Sequence, residues 1–358
     1  MRKLLFNIHL YLAFIAGAFI IVFGITGSIM AFEPELDHLF HHKLYYVKPG
    51  SEKLSLQQIG KIVNNAFPRD TILGYALSSS HDLSYGIYLQ DKVVFVDEYS
   101  GRILGKSTGD DWLTRFLNKV HQLHIRLIYR DKNDSGKIIM SWAGVALLII
   151  LPTGLFLWWK QKRISFRKNV SSRIRWFDIH SVVGIFSFFF MIILAFTGVM
   201  IAFENKTVPM FYKLTNSKPI PRPNITITPR NDIQPISPDS AKQIAEKTLP
   251  GANVFAVNVP GPGEYYMINS RYPEDRTPGG RSKVFIDPYT GKVLYSISSR
   301  NGPAGYRIQV INRAIHTGDI FGIPSKIIMA LTSLLVVVQF ISGFMLWWKR
   351  KNKVDKAI

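Results

Sequence analysis

The stretch Phe6-Asn-Ile-His-Leu-Tyr-Leu-Ala-Phe-Ile-Ala-Gly17 places His9 just inside a long apolar run that follows Met1-Arg2-Lys3. An ionisable ring near the end of a membrane helix is costly and needs a partner. Adding 171 to position 9 gives His180, in Phe177-Asp-Ile-His-Ser-Val-Val-Gly184. The same offset carries Thr26-Gly27 onto Thr197-Gly198, and Ala31-Phe32-Glu33 onto Ala202-Phe203-Glu204. The chain reads as a duplication in which each copy brings a histidine to the same place.

The apolar run around His9 has three companions. Residues 10–32, 138–159, 181–203 and 327–348 are uncharged, and each is long enough to cross a hydrocarbon core of about 30 Å. With 47% hydrophobic residues, the chain is expected to be a mainly α membrane protein with four transmembrane helices. The first run exceeds the h-region of a signal peptide and no clear small-x-small site closes it, so it is expected to stay as an uncleaved span. The absence of cysteine excludes iron–sulfur clusters, thiolate zinc sites, covalent c-type haem and disulfides.

Charge orients the spans. The segment 160–175 holds seven Lys/Arg and no acid, and the tail 349–358 holds five against Asp355 alone. By the positive-inside rule these segments and Met1-Arg2-Lys3 lie in the cytoplasm, and the two long loops lie outside. Much of the net charge of +20 is thus a topology signal, and a nucleic-acid partner is not expected. Trp158-Trp159-Lys160 and Trp347-Trp348-Lys349 close the second and fourth spans alike, as interfacial anchors do.

The resulting division is 1–33 (first span), 34–120 (outer module), 121–160 (outer histidine segment and second span) and 161–175 (cytoplasmic loop). It continues with 176–204 (third span), 205–310 (second outer module), 311–349 (outer histidine segment and fourth span) and 350–358 (tail). Each outer module reads as small α+β. Residues 54–67 and 237–249 have helical patterning and stop at Pro68 and Pro250, the second with a capping Ser237 and Pro238 at its first position. Strand-like runs 86–89 and 264–268 follow. Each module then reaches a hairpin with an Asp-x-Tyr-Ser/Thr-Gly turn, Asp97 to Gly101 and Asp287 to Gly291, offset by 190. The Pro-rich run 218–229 reads as a linker and 271–281 as a loop.

Nine histidines remain to be placed. His38, His41 and His42 could gather a metal, but the second copy has Pro209-Met-Phe-Tyr there, and a solvated juxtamembrane segment is the preferred reading. His81 reads as a loop residue. Lys137-Ile-Ile-Met140 and Lys326-Ile-Ile-Met329 align the second and fourth spans by 189, and with three extra residues in the first copy's intervening loop His124 and His316 are counterparts. His121 lies one turn earlier and competes with His124. Spans one and three both run outward, so the copies are parallel repeats about an axis along the membrane normal, with matched residues at equal depth. His9 and His180 then form a pair near the cytoplasmic face, and His124 and His316 a pair near the outer face. Two imidazoles facing across a bundle axis suit six-coordinate b-type haem, whereas zinc lacks its usual number of ligands. Histidines hydrogen-bonded to each other or to the backbone are the plain alternative.

Taken together, Ile8-His9-Leu10, Leu123-His124, Asp178-Ile-His180, Ile315-His316-Thr-Gly and the Asp-x-Tyr-x-Gly hairpins resemble the PepSY-associated transmembrane proteins over essentially the whole chain. That family includes inner-membrane ferric-siderophore reductases of the ferrioxamine type. The resemblance implies a bacterial inner-membrane oxidoreductase with two b haems, His9 and His180 on the inner one, His124 (or His121) and His316 on the outer. It implies a one-electron relay to a ferric siderophore or other ferric chelate outside. Some relatives carry a flavin or nicotinamide domain; here ten residues follow Trp348, so the expected donor is quinol or a separate reductase. Arg173 and Arg175 are candidate haem-propionate partners. Glu33 and Glu204 end the outward spans at matched positions and read as structural rather than as proton-handling groups. The rival function is a non-redox membrane scaffold whose outer modules bind peptides or regulate a protease. A metal transporter is weaker, since no span carries an interior acid.

Overall fold

The computed structural model describes residues 1–354 except 79, 160, 161, 163, 222–224, 231 and 232. The readings of Lys160 as an anchor, of the chain's last four residues and of the middle of the 218–229 linker fall outside the described residues. In chain order the elements are α1 (Arg2–Met30), α2 (Glu33–Phe40), α3 (His42–Tyr45), α4 (Leu56–Ala66), β1 (Gly74–Ala76), β2 (Tyr85–Tyr88), β3 (Val93–Val96) and β4 (Ile103–Ser107). Next come α5 (Trp112–Arg126), α6 (Ser135–Trp159), α7 (Ser172–Ala202), α8 (Glu204–Leu214) and α9 (Pro238–Thr248). The rest are β5 (Asn253–Asn258), β6 (Tyr266–Arg271), β7 (Ser282–Ile286), β8 (Val293–Ile297), α10 (Ala304–Thr317) and α11 (Ile323–Val354). They form two compact units, one of Met1–Glu33, Phe116–Thr207 and Ile311–Ile358, the other of Pro34–Arg115 and Val208–Val310.

The first unit is a four-helix bundle. Among the described residues α1, α6, α7 and α11 are the helices long and apolar enough to cross a membrane, and even the 25-residue α6 rises about 37 Å. Helices α1 and α7 begin two turns earlier than the apolar runs, because Asn7, Asp178 and the basic residues before them continue the backbone ladder beyond the hydrocarbon. The outward face carries large apolar side chains, among them Phe186, Phe189 and Phe196 at 70%, 63% and 53% exposure, a surface that lipid covers. The chain is a membrane protein. Helix α1 packs on α6 and α11, and α7 packs on the same two, so α1 and α7 face each other across the bundle. Small residues bring backbones close: a Cβ on Gly24 of α1 would lie 2.6 Å from the Ser333 carbonyl of α11.

The second unit is one antiparallel sheet of eight strands, ordered β4-β3-β2-β1-β5-β6-β7-β8. Helices α4 and α9 cover one face, burying Ile59, Val63, Ala241 and Ala245 against Ile87, Val94, Val257, Ile268 and Val284. Ser55 and Gln58 form a capping box on α4, and Asp239 of α9 accepts from the Leu56 and Gln57 amides at 2.8 and 2.9 Å. Both hairpin turns are as the spacing requires: Asp97 and Asp287 accept from the amides two and three residues on, and Gly101 and Gly291 take φ of +74° and +69°. The strand runs assigned to two separate modules lie in one sheet. Strands β1 and β5 join them, Tyr75 opposite Val257.

The halves of this unit differ at one buried pair. Glu98 is fully buried and meets Lys53 at 3.0 Å, with the ammonium over the rings of Tyr85 and Tyr99. The neighbouring amide bond Leu54 to Glu98 recurs as Ile236 to Pro288, both 2.7 Å, so Pro235 and Pro288 hold the matched place without charge. Glu98→Ala is expected to lower stability by about 3 kcal/mol, the low end for a broken buried pair because Lys53 keeps some solvent contact. Lys53→Met with Glu98→Leu is expected to leave the melting temperature unchanged or higher, as measured by thermal unfolding in detergent.

Candidate functional site: two facing pairs of histidines

His9 lies two turns into α1 and His180 two turns into α7, the two helices that face across the bundle. Their ring centroids are 6.2 Å apart. At the other end of the same bundle His124, near the end of α5, faces His316, near the end of α10, at 6.4 Å. The first pair sits at position 9 of α1 and the second bonds to Thr26 of the same helix; on α7 the matched positions are 180 and 197. Seventeen residues on each helix put the two pairs about 25 Å apart in depth.

One ring nitrogen of each histidine is already engaged. His9 Nδ1 meets the Ile150 carbonyl at 3.0 Å and Thr153 Oγ1 at 3.2 Å. His180 Nδ1 meets the Gln339 carbonyl and Ser342 Oγ, both at 3.1 Å. His124 Nδ1 meets Thr26 Oγ1 at 2.8 Å, and His316 Nδ1 meets Thr197 Oγ1 at 3.1 Å. Each of these hydroxyls donates its own proton to a carbonyl of its helix, at Val22, Ile150, Ile193 and Gln339. The hydroxyl oxygens and carbonyls therefore accept, and Nδ1 carries the hydrogen. That leaves Nε2 of all four rings with a bare lone pair, the tautomer a metal-ligating histidine adopts. Burial pushes the pKa of His124 and His316 well below the ordinary imidazole value, His124 further through its imidazole neighbours His316 and His121. Both rings are neutral at pH 7.

Between the helices a cavity of about 1290 Å³ receives both His9 and His180, larger than the roughly 300–1,000 Å³ of ordinary small-molecule sites. Its walls are apolar, with Leu10, Phe14, Leu151, Phe188, Met191 and Phe340 among them. Arg2, Lys3, Arg173 and Arg350 line it at the end where α1 and α7 begin and α11 finishes. Arg167 lines it too, its guanidinium held by Asp178 at 2.6 Å. Arg173 is placed where a carboxylate-bearing ligand could use it, whereas Arg175 is not part of this lining. Asp178, an acid inside α7, is thus committed to Arg167 at the helix start.

A haem fits what these residues offer. Two metal–nitrogen bonds of about 2 Å and the radii of two imidazoles span about 6 Å, which is the separation of both pairs. The cavity at His9 and His180 adds apolar walls for a macrocycle and cations for its propionates. No group of three or more His, Cys, Asp or Glu that could hold a metal occurs among the described residues, so a zinc site of ordinary coordination has no counterpart there.

The remaining histidines disperse. His121 is 45% exposed and points to Glu33 at 4.0 Å; the ring that faces His316 is His124, and His121 does not join the pair. A one-turn offset on α5 turned the polar surface, not the axis, toward it. His41 bonds Asp37 at 2.7 Å and Asp111 at 3.3 Å, His38 packs on Tyr45 and His42 stacks on Tyr46. His81 lends its carbonyl to Tyr99. Sequence reasoning missed Thr153 and Ser342. Their signal was present as Thr153-Gly154 and Ser342-Gly343, related by the same offset of 189 that aligns their spans.

A search of curated proteins found no match to the chain. The sequence profile of one family, the PepSY-associated TM region, matches residues 6–350, and the chain belongs to that family.

Proposed function

We propose that the protein is a di-haem oxidoreductase of the bacterial inner membrane that delivers electrons to a ferric chelate, of the siderophore class, on the periplasmic side. The observation that carries this reading is the twofold occurrence of facing imidazoles, each with Nδ1 spent and Nε2 free, at the separation a bis-histidyl iron needs. One b haem at each pair supplies one-electron redox chemistry.

His9, His180, His124 and His316 hold the irons through Nε2. Leu10, Phe14 and their neighbours exclude water from the inner site, and Arg2, Lys3, Arg173 and Arg350 neutralise propionates. The basic termini and the 160–175 segment orient the bundle with the first pair toward the cytoplasm. The helices are then two parallel repeats, and the eight-stranded unit lies in the periplasm. Electrons enter from quinol or a separate reductase. Reduction of the chelated Fe(III) substrate to Fe(II) weakens its hold by hard oxygen ligands and frees the iron.

Mixing the anaerobically reduced protein with ferric trihydroxamate or ferric nitrilotriacetate tests this. The reduced α and β bands are expected to return to the oxidised spectrum as ferrozine traps Fe(II). Bands that stay reduced in excess chelate would exclude ferric-chelate reduction, and a protein with no reducible bands at all would favour a non-redox scaffold that binds peptides or restrains a protease.

A further inference from the structure

The two pairs differ in the angle between their rings. His9 and His180 stand at 86°, His124 and His316 at 55°. A ring that bears only a metal turns freely about its Nε2–metal axis within its rotamer. These rings do not, because each is bonded at Nδ1 to a neighbouring helix. His9 of α1 is bonded to Thr153 of α6, His180 of α7 to Ser342 of α11, His124 of α5 to Thr26 of α1, and His316 of α10 to Thr197 of α7. Each hydroxyl belongs to a Ser/Thr–Gly step, and the glycine lies under the same ring: Gly154, Gly343, Gly27 and Gly198 each have the imidazole Cε1 as a nearest neighbour of a built Cβ or, at Gly27, just after Ser333 Oγ. The repeat of one device at four places is what a ring seat requires.

We infer that Thr153, Ser342, Thr26 and Thr197 are positioning residues that set the planes of the four imidazoles and so make the two iron sites electronically distinct. The inference rests on the di-haem reading above. An axial imidazole donates π density perpendicular to its own plane. Two perpendicular rings act on different iron dπ orbitals and leave these nearly degenerate; rings turned toward one another act more on one orbital and split them. The His9–His180 site is therefore the more anisotropic low-spin ferric centre, and the His124–His316 site the more rhombic one. The hydrogen bonds at Nδ1 are the levers through which the protein tunes such ligands.

Low-temperature electron paramagnetic resonance of the oxidised protein tests this without any turnover. Two low-spin signals are expected, the more anisotropic one absent from His9→Ala and present in His124→Ala. Thr153→Val with Ser342→Ala is expected to shift that signal alone while both haems are retained, and Thr153→Ser is expected to leave it in place. Thr153→Val by itself keeps the Ile150 carbonyl for His9 and serves where the double variant loses haem; it is expected to shift the same signal less. An unmoved signal in the valine variants, or a more anisotropic signal that disappears with His124 instead, overturns the inference while leaving the di-haem reading intact. A wild-type protein without any haem signal overturns both.

Discussion

Replacing His9 by alanine is expected to remove one haem from the purified protein and to leave the other in place. His9 and His180 line one cavity, and the second pair lies about 25 Å away along α1 and α7, with Ala16, Ile20, Met191 and Val336 packed between. Loss of His9 would leave His180 as the one imidazole offered to a haem in this apolar cavity. The seats of the other pair, Thr26 and Thr197, are untouched. Haem content by pyridine haemochrome should therefore fall from about two to about one per chain. His180→Ala should behave identically, and His124→Ala and His316→Ala should remove the other haem. His121→Ala should keep both, because that ring faces Glu33 and water. Loss of both haems from the His9 variant, or of one from the His121 variant, would contradict the pairing.

The second large effect is expected at a glycine. A Cβ on Gly154 would sit 2.9 Å from Cε1 of His9, and one on Gly198 2.9 Å from Cε1 of His316, closer than real Cβ contacts come. The neighbour in each case is a ring pinned at Nδ1 and facing a second ring, so it has little room to retreat. Gly154→Ala is expected to weaken haem retention at the His9–His180 pair by about 10–100-fold, the cost typical of disturbing a ligand's supporting contacts. Helix α6 itself should gain, since alanine is the better helix former by about 1 kcal/mol. Gly27→Ala is the control. Its Cβ would stand 3.3 Å from Ser333 Oγ, a hydroxyl that can turn aside, and 3.5 Å from His124, an ordinary contact, and haem transfer to apomyoglobin should proceed at nearly the wild-type rate. Equal transfer rates for Gly154→Ala and Gly27→Ala would show that the glycines do not seat the rings.

Much of this site was legible in the sequence because it is repeated. His9 alone is an awkward residue; His9 with His180 at a fixed offset, flanked by matching Thr-Gly and Ala-Phe-Glu, defines two equivalent helices whose histidines must meet. The same logic brought His124 to His316. It could not separate His124 from His121, since residues one turn apart share a helix face to within a few tens of degrees. Only the packing of α5 turned one toward the axis and the other toward Glu33. Thr153 and Ser342 escaped notice because hydroxyls in membrane helices commonly bond their own backbone, and a carbonyl such as that of Ile150 leaves no trace in residue identity.

In the second unit the capped helices and the Asp-Gly hairpins were readable from local chemistry. The joining strands were not. Gly74-Tyr-Ala76 is three residues long, has no β-branched side chain and offers Tyr75 as its one strand-favouring residue, too little pattern to announce a strand. It pairs with β2 close by on one side, but the partner that joins the two halves is β5, about 180 positions away. The sequence pattern therefore predicts two separate modules where one sheet runs through both.

Whether the four histidines hold two haems is tested most directly by the absorption spectrum of the detergent-purified protein, expressed with haem supplied. A Soret band with α and β bands that sharpen on reduction, at about two haems per chain, is the expected result. A colourless protein, folded by circular dichroism and expressed under the same conditions, would contradict it.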